Sequence, residues 1–187
     1  MKRILITGSA GFIGTHTVEH FIANTDWEII GIDSFRHRGD SLRVNQDPTR
    51  YKIYTHDLTT PISDRLIRKI GDIDYIINMA SESHVDRSIT DPVDFCENNI
   101  KLALTMLEYA REAKPKIFIQ ISTDEVYGAA LNGMNHKEWS TILPSNPYSA
   151  SKAAQEALAI SYWRTYGVPI VITTPIVTGK QIGRAHV

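Results

Sequence analysis

The sequence predicts an α/β fold: a doubly wound parallel sheet of about six strands, with helices on both faces. Three observations carry this. Short apolar runs of strand length alternate with helical periods along nearly the whole chain, a glycine-rich turn joins the first run to the first helix, and loop-like stretches follow several runs at one end. Strand–helix alternation calls for parallel strands joined by right-handed crossovers.

The elements follow in order. Residues Lys2–Thr7 form an apolar strand, Gly11–Asn24 a helix and Glu28–Ile32 a second strand. A third strand is expected at Tyr51–Thr55, then a short helix over Pro61–Ile70 with its proline near the first turn. The fourth strand is Asp74–Asn78. A long helix over Val93–Ala113 has apolar residues Phe95, Ile100, Leu104 and Leu107 at roughly helical spacing. A fifth strand (Lys116–Ser122), a helix (Tyr148–Tyr166) and a sixth strand (Pro169–Thr174) complete the pattern, the last begun by a proline that a strand's first residue tolerates. Ser34–Arg50 and Gly128–Asn146 read as loops, and loops at strand C-terminal ends are where such sheets bind ligands.

Composition narrows the function classes. The chain has 187 residues, 42% hydrophobic, enough for one globular core. Its 20 basic and 21 acidic residues give a formal net charge of -1, which argues against a nucleic-acid partner. A single cysteine, Cys96, excludes an internal disulfide framework and a multi-cysteine zinc site, and it is expected to be a small buried apolar residue. No apolar run is long enough to span a bilayer and the N-terminus has no secretory pattern, so the expectation is a soluble cytoplasmic protein with no membrane partner and no metal.

The first chemical motif is Gly8-Ser9-Ala10-Gly11-Phe12-Ile13-Gly14, which follows the first strand and opens the first helix. Glycines suit a sharp turn, a backbone that approaches a pyrophosphate, and a helix packed closely on a strand. The helix N-terminus then offers N–H groups and a positive dipole end to phosphates. Asp33 ends the second strand, 19 residues after Gly14, where an acid would hold the adenosine ribose hydroxyls. That reading makes the fold Rossmann-like and favours NAD over NADP, although Arg36 and Arg38 follow closely and oppose the preference. Asp57 and Leu58 stand just after the third strand, either beside the adenine or in a surface turn.

The second motif is Tyr148 and Lys152, four apart at the start of a helix, so both lie on one face. Ser145 or Asn146 can cap this helix, with Pro147 in its first turn. An ammonium near the phenol is expected to lower its pKa toward neutrality, making it a base for a sugar hydroxyl while hydride leaves the same carbon.

Together, the glycine motif, the hydroxyl pair Ser122-Thr123 and the Tyr–Lys pair resemble the extended short-chain dehydrogenase/reductase family, which acts on nucleotide sugars. Three segments, Asn78 to Ile89, Ile121 to Gly128 and Pro144 to Lys152, resemble its dTDP-glucose 4,6-dehydratases. The resemblance runs from Lys2 to about Thr174, and its most specific part is Thr123-Asp124-Glu125. It implies that Glu125 is the C5 base, Asp124 the acid at the C6 hydroxyl, Thr123 a hydrogen-bond partner of the C4 oxygen and Tyr148 the C4 base. Lys152 would hold the nicotinamide ribose. Adjacent carboxylates can serve as acid and base if their environments push their pKa values apart. The resemblance also implies that Gly8, Gly11, Phe12, Ile13, Gly14, Asp33, Asp57, Leu58, Ala80, Tyr148 and Lys152 contact NAD. It puts Ser83 and Glu82 near the sugar beside His84, which could equally be a structural histidine satisfied by hydrogen bonds. Asn99 matches a family asparagine on the long helix, and Leu102 stands where the family has glycine.

The resemblance implies a nucleotide-sugar substrate, dTDP-glucose preferred, and allows a homodimer through the helices Val93–Ala113 and Tyr148–Tyr166. Alternatives are a UDP-sugar 4-epimerase or decarboxylase, which has no use for the Asp124-Glu125 pair, and a catalytically idle NAD-binding module. Beyond the sixth strand the match stops: Ile176 and Thr178 stand where the family has asparagine and an aromatic residue. Residues 1–180 are expected to form the NAD-binding domain with all catalytic side chains. Gln181 to Val187 is expected to be a non-native tail on a truncated frame, without the C-terminal lobe that contacts the substrate's nucleotide.

Overall fold

The computed structural model describes residues 1–36, 47–129 and 136–175. Arg38, Ile176, Thr178 and the Gln181 to Val187 tail lie outside them.

Six parallel strands form the sheet: β1 (Arg3–Thr7), β2 (Glu28–Asp33), β3 (Tyr51–Thr55), β4 (Tyr75–Asn78), β5 (Ile117–Ile121) and β6 (Ile170–Thr173). Their order is β3-β2-β1-β4-β5-β6. The helices are α1 (Phe12–Asn24), α2 (Asp64–Ile70), α3 (Val85–Thr90), α4 (Pro92–Ala113) and α5 (Pro147–Tyr166). The chain order reverses between β1 and β4, and this switch point is where ligands bind in open α/β sheets.

Strand alternation builds two cores. Leu5, Ile30, Ile32, Ile76 and Phe118 point to one face, against Ile70 of α2, Leu102, Met106 and Leu107 of α4, and Ala159 of α5. Ile4, Ile6, Ile29 and Ile77 point to the other, against Val18, Phe21 and Ile22 of α1. The sheet is therefore covered on both faces, as the alternation of elements predicts. At the strand N-terminal ends Arg3 bridges neighbours: its Nε lies 2.8 Å from Glu28 Oε2, and its N–H donates to Asp74 Oδ2 at 2.9 Å. The Arg3 and Lys52 hydrogen bonds hold the Glu28 carboxyl below its usual pKa.

The structure adds α3 to the elements read from the sequence and refines several details. The α2 helix starts at Asp64, because Ser63 accepts from the Leu66 N–H and caps it, so Pro61 lies ahead of the helix. The buried stripe of α4 runs through Phe95, Asn99, Leu102, Met106 and Ala110, whereas Ile100 and Leu104 are half-buried. An apolar period passes over Asn99, although Asn99 is fully buried. Leu102 packs into the core at the family's glycine position. Cys96 is half-buried, its thiol 3.5 Å from the Pro147 carbonyl.

Phe118 of β5 is fully buried in the core. Phe118→Ala is expected to cost about 3–5 kcal/mol of stability, and Ile89→Ala on exposed α3 less than about 0.5 kcal/mol. Urea unfolding of both variants checks the contrast.

Candidate active site

The site assembles at the C-terminal ends of β1, β4 and β5. After β1 the backbone turns through Gly8 at φ +69. A Cβ on Gly8 would sit 3.0 Å from Ala80 Cα, and one on Gly14 would sit 2.0 Å from the Gly8 carbonyl oxygen. Only glycine lets α1 dock this closely on the turn. Gly11 precedes α1, whose first turn has no side-chain cap, so the N–H groups there remain available to an anion. The Phe12 and Ile13 side chains are exposed.

Asp33 lies across this turn. Its Oδ2 accepts from the Ala10 N–H at 3.0 Å and its Oδ1 from the Phe35 N–H at 2.9 Å. Each carboxylate oxygen keeps a further lone pair for a ligand hydroxyl. Asp57 pairs with Arg36 and also accepts from the Thr59 N–H and hydroxyl. Burial raises its pKa, but these hydrogen bonds and the Arg36 charge outweigh it and hold the carboxyl below its usual value. Leu58 is built into the core.

After β4, Ala80 donates its N–H to Thr7 Oγ at 3.1 Å, which joins this segment to the glycine turn. The backbone of Glu82 is gripped by Asn99: its N–H donates to Asn99 Oδ1 at 2.8 Å and its carbonyl accepts from Asn99 Nδ2 at 3.0 Å. The Glu82 carboxylate lies 2.8 Å from Arg87, and Ser83 is exposed. His84 precedes α3, and its buried Nδ1 has no hydrogen-bond partner among the described residues.

After β5, Thr123 opens a single 3-10 turn, Asp124–Tyr127, its hydroxyl accepting from the Glu125 N–H at 3.3 Å. Val126 and Tyr127 are buried and anchor the turn, which leaves Asp124 and Glu125 half-buried. Asn146, rather than Ser145, caps α5: its Oδ1 accepts from the Ser149 N–H at 2.8 Å, in a reciprocal capping box with Ser149. The same cap fixes its amide, and Nδ2 donates to Glu125 Oε2 at 3.2 Å.

Tyr148 and Lys152 project from the first turns of α5. Burial and the charges of Glu125 and Asp124 push the Tyr148 phenol up to about 12, against a hydrogen bond with Thr123 that pulls it down. The expected lowering toward neutrality is therefore reversed. The reason is geometric: the Lys152 Nζ is committed to the Ile121 carbonyl at 2.6 Å and to Gln155 Oε1 at 2.8 Å. Lys152 is 3% exposed, and burial brings its ammonium down to about 8 despite the opposing charge of Glu156. Glu156, in turn, is raised by burial and accepts from Ser122.

The structure thus gathers Thr123, Asp124, Glu125 and Tyr148 into one electrostatically coupled group, with Lys152 one turn further along α5, and it sets the glycine turn, Asp33 and Ala80 together in a second. Sequence reasoning missed Asn146 as a partner of Glu125, and it missed Gln120, Gln155 and Glu156. Only the helical spacing of Gln155 and Glu156 after Lys152 could have suggested the last two. Among the described residues no group of three or more His, Cys, Asp or Glu is placed to hold a metal, and no helix is long and apolar enough to cross a membrane.

The family model described as GDP-mannose 4,6 dehydratase matches residues 5–178. The chain belongs to the GDP-mannose 4,6 dehydratase family. Similar relatives include the dTDP-glucose 4,6-dehydratase of Escherichia coli, 39% identical over 192 residues, covering 91% of this chain and 53% of the relative. That of Neisseria meningitidis serogroup B is 37% identical over 187 residues, covering 92% and 52%. Among solved structures, a dTDP-glucose 4,6-dehydratase from Streptomyces venezuelae with NAD and TYD bound superimposes with a TM-score of 0.84 at 37% identity, covering 92% of this chain and 55% of that one. The UDP-glucose 4-epimerase of Thermus thermophilus, in complex with NAD, gives a TM-score of 0.81 at 30% identity, with 92% and 54% covered. The chain spans about half the length of the curated relatives it matches.

Burying the Lys152 ammonium has a consequence for stability. Its pKa falls from 10.5 in the unfolded chain to about 8 in the folded one. Below pH 8 both states are protonated and the folded state bears the full cost of the buried charge. From about 8 to 10.5 only the unfolded state holds the proton, so stability rises with pH. Relative to Lys152→Met, the native protein is expected to gain roughly 3 kcal/mol across that window. Chemical denaturation of both at several pH values measures it.

Proposed function

We propose that the protein is a nucleotide-sugar 4,6-dehydratase that converts dTDP-glucose to dTDP-4-keto-6-deoxyglucose with NAD as a recycled cofactor. The observation that carries this is the acid pair: Asp124 and Glu125 stand on one tight turn, and both charges reach the Tyr148 phenol. An epimerase needs only oxidation and re-reduction at C4. A dehydratase must also take the C5 proton and expel the C6 hydroxyl, which requires a base and an acid beside the C4 machinery.

The described residues fit NAD. The Gly8–Gly14 contact leaves no room for side chains where the turn meets α1, and the first turn of α1 is uncapped. The first-turn N–H groups of Phe12, Ile13 and Gly14 would receive the pyrophosphate, while Gly8 and Gly11, whose own N–H groups donate to the Ile32 and Gly8 carbonyls, would give it room to approach the backbone. Asp33 would hold the adenosine ribose, with Asp57 and Leu58 on the adenine side and Ala80 beside the glycine turn. The engagement of Arg36 by Asp57 supports NAD over NADP, since it takes a cation away from a 2′-phosphate. When bound, NAD supplies a hydride acceptor for C4 and a positive charge that opposes the carboxylates acting on Tyr148.

In this reading Tyr148 takes the C4 hydroxyl proton and Thr123 hydrogen-bonds the C4 oxygen. Glu125, held by the Asn146 amide, removes the C5 proton, and Asp124 protonates the departing C6 hydroxyl; the hydride taken from C4 would then be returned to C6 and a proton to C5, so that there is no net redox change. Lys152 holds the nicotinamide ribose. Ser83 and Glu82 lie on the substrate side. The relatives named dTDP-glucose 4,6-dehydratase support the substrate. The proposal extends to a cytoplasmic homodimer formed through α4 and α5, on which Val93, Ile160 and Trp163 expose apolar surface.

Incubation of the full-length parent of this chain with dTDP-glucose and NAD is expected to yield the 4-keto-6-deoxy product, identified by mass and NMR. Glu125→Gln should reduce product formation by about 10²–10⁴-fold while hydride transfer from C4 continues. A C4 epimer as the product would replace this reading with the epimerase one, and unchanged elimination in Glu125→Gln would remove the base assignment.

A further inference from the structure

Lys152 is the end of a longer buried network. Its ammonium can only donate, so the Gln155 side chain must present Oε1 to it, at 2.8 Å. That oxygen also accepts from Gln120 Nε2 at 3.0 Å, while Gln155 Nε2 donates to the Asn99 carbonyl at 2.7 Å. With its nitrogen turned toward Gln155, Gln120 presents its oxygen to Asn78 Nδ2 at 2.9 Å. Asn78 then presents its own oxygen to the Thr7 hydroxyl at 2.7 Å. The Thr7 oxygen is left to accept, and it takes the N–H groups of Met79 and Ala80, both at 3.1 Å. Thr7, Asn78, Gln120 and Gln155 are each at most 1% exposed. The orientation of every amide in this series follows from the charge at one end.

We propose that Gln155, backed by Gln120 and Asn78, is a positioning residue that fixes the Lys152 ammonium against the Ile121 carbonyl and ties it to the Gly8 turn and the Ala80 segment. Four neutral side chains from β1, β4, β5 and α5 join the two halves of the site, residues that would meet the phosphates and the group that would meet the nicotinamide ribose. What the lysine is held for rests on the cofactor reading; that it is held does not. The titratable groups around it are few. Glu156 on α5 acts on Lys152 directly. Tyr148 stands one turn earlier, Asp124 and Glu125 face Tyr148 from the turn after β5, and the Cys96 thiol on α4 points at the Pro147 carbonyl. None of these supplies the acceptor that Gln155 does.

The test reads the Lys152 nitrogen itself, by lysine-Nζ NMR of the labelled 187-residue chain over a pH series, with Lys152→Met identifying the signal. Gln155→Met removes the acceptor at nearly constant volume and should lower the midpoint by about one unit, close to tenfold in the protonation constant. Gln155→Glu places a carboxylate there and should raise it. Gln120→Met, one link further away, should lower it by less. Opposite shifts for the Met and Glu variants support the proposal, because loss of packing alone would not change sign with charge. An unmoved midpoint in folded Gln155→Met, or shifts of the same sign in both, overturns it. If Gln155→Met does not fold, the near-isosteric Gln155→Glu decides alone, an unmoved midpoint counting against the proposal. NAD titrated into the same samples keeps the two readings apart: failure of NAD to bind the native protein would remove the cofactor reading, while the lysine midpoints would still decide this one.

Discussion

An ammonium taken out of water must be given oxygen acceptors, and much of this site follows from how the fold does so. Lys152 is nearly fully buried at the end of β5, and its acceptors are the Ile121 carbonyl and the Gln155 amide. A carbonyl at a strand's end is free to accept only because the strand stops there, so the place where β5 ends is part of the lysine's environment. The same strand then delivers Ser122 to Glu156 and Thr123 to the turn that carries the acid pair. The helix that presents Lys152 is fixed at its start by Asn146, which also grips Glu125. One cap therefore sets the Glu125 carboxylate and the start of the Tyr148 helix at once. Displacing it would move the carboxylate and the phenol relative to each other.

Close approach is the second constraint. The contact of Gly14 with the Gly8 carbonyl lets α1 sit directly on the turn, and the Ala80 backbone packs on the other side of Gly8. Thr7 lies between these segments and accepts from Met79 and Ala80. The two strands that flank the switch point are thus joined by side chains as well as by the sheet's own ladder. A site built this way is preorganised, because few of its polar groups have anywhere else to point.

Much of this was legible in the sequence. The strand positions, the glycine turn, Asp33 at the end of β2 and the Tyr148–Lys152 spacing all follow from period and local residue chemistry, and these are properties of neighbouring residues. What escaped depends on burial and on distant partners. Asn99 was read by resemblance alone, because an apolar period gives a buried asparagine no weight. The six residues of α3 are too few for a helical period to show. The choice between Ser145 and Asn146 as cap turned on which side chain reaches Ser149. The sign of the Tyr148 shift was misread for the same reason: four-residue spacing places a lysine on the phenol's face, but only the fold shows that its nitrogen is spoken for by β5 and Gln155.

That sign constrains how the site can work. With its pKa raised to about 12, Tyr148 rests as a phenol, a donor rather than a base. Two carboxylates and a neutral phenol form a group whose net charge is negative, with the ammonium turned away toward Gln155 and Ile121. Any ligand state in which Tyr148 accepts a proton must first change this balance by bringing positive charge near the phenol. The charges of Glu125 and Asp124 beside it oppose ionisation of the Tyr148 phenol, so whatever is brought against this turn acts on the phenol's proton through its own charge.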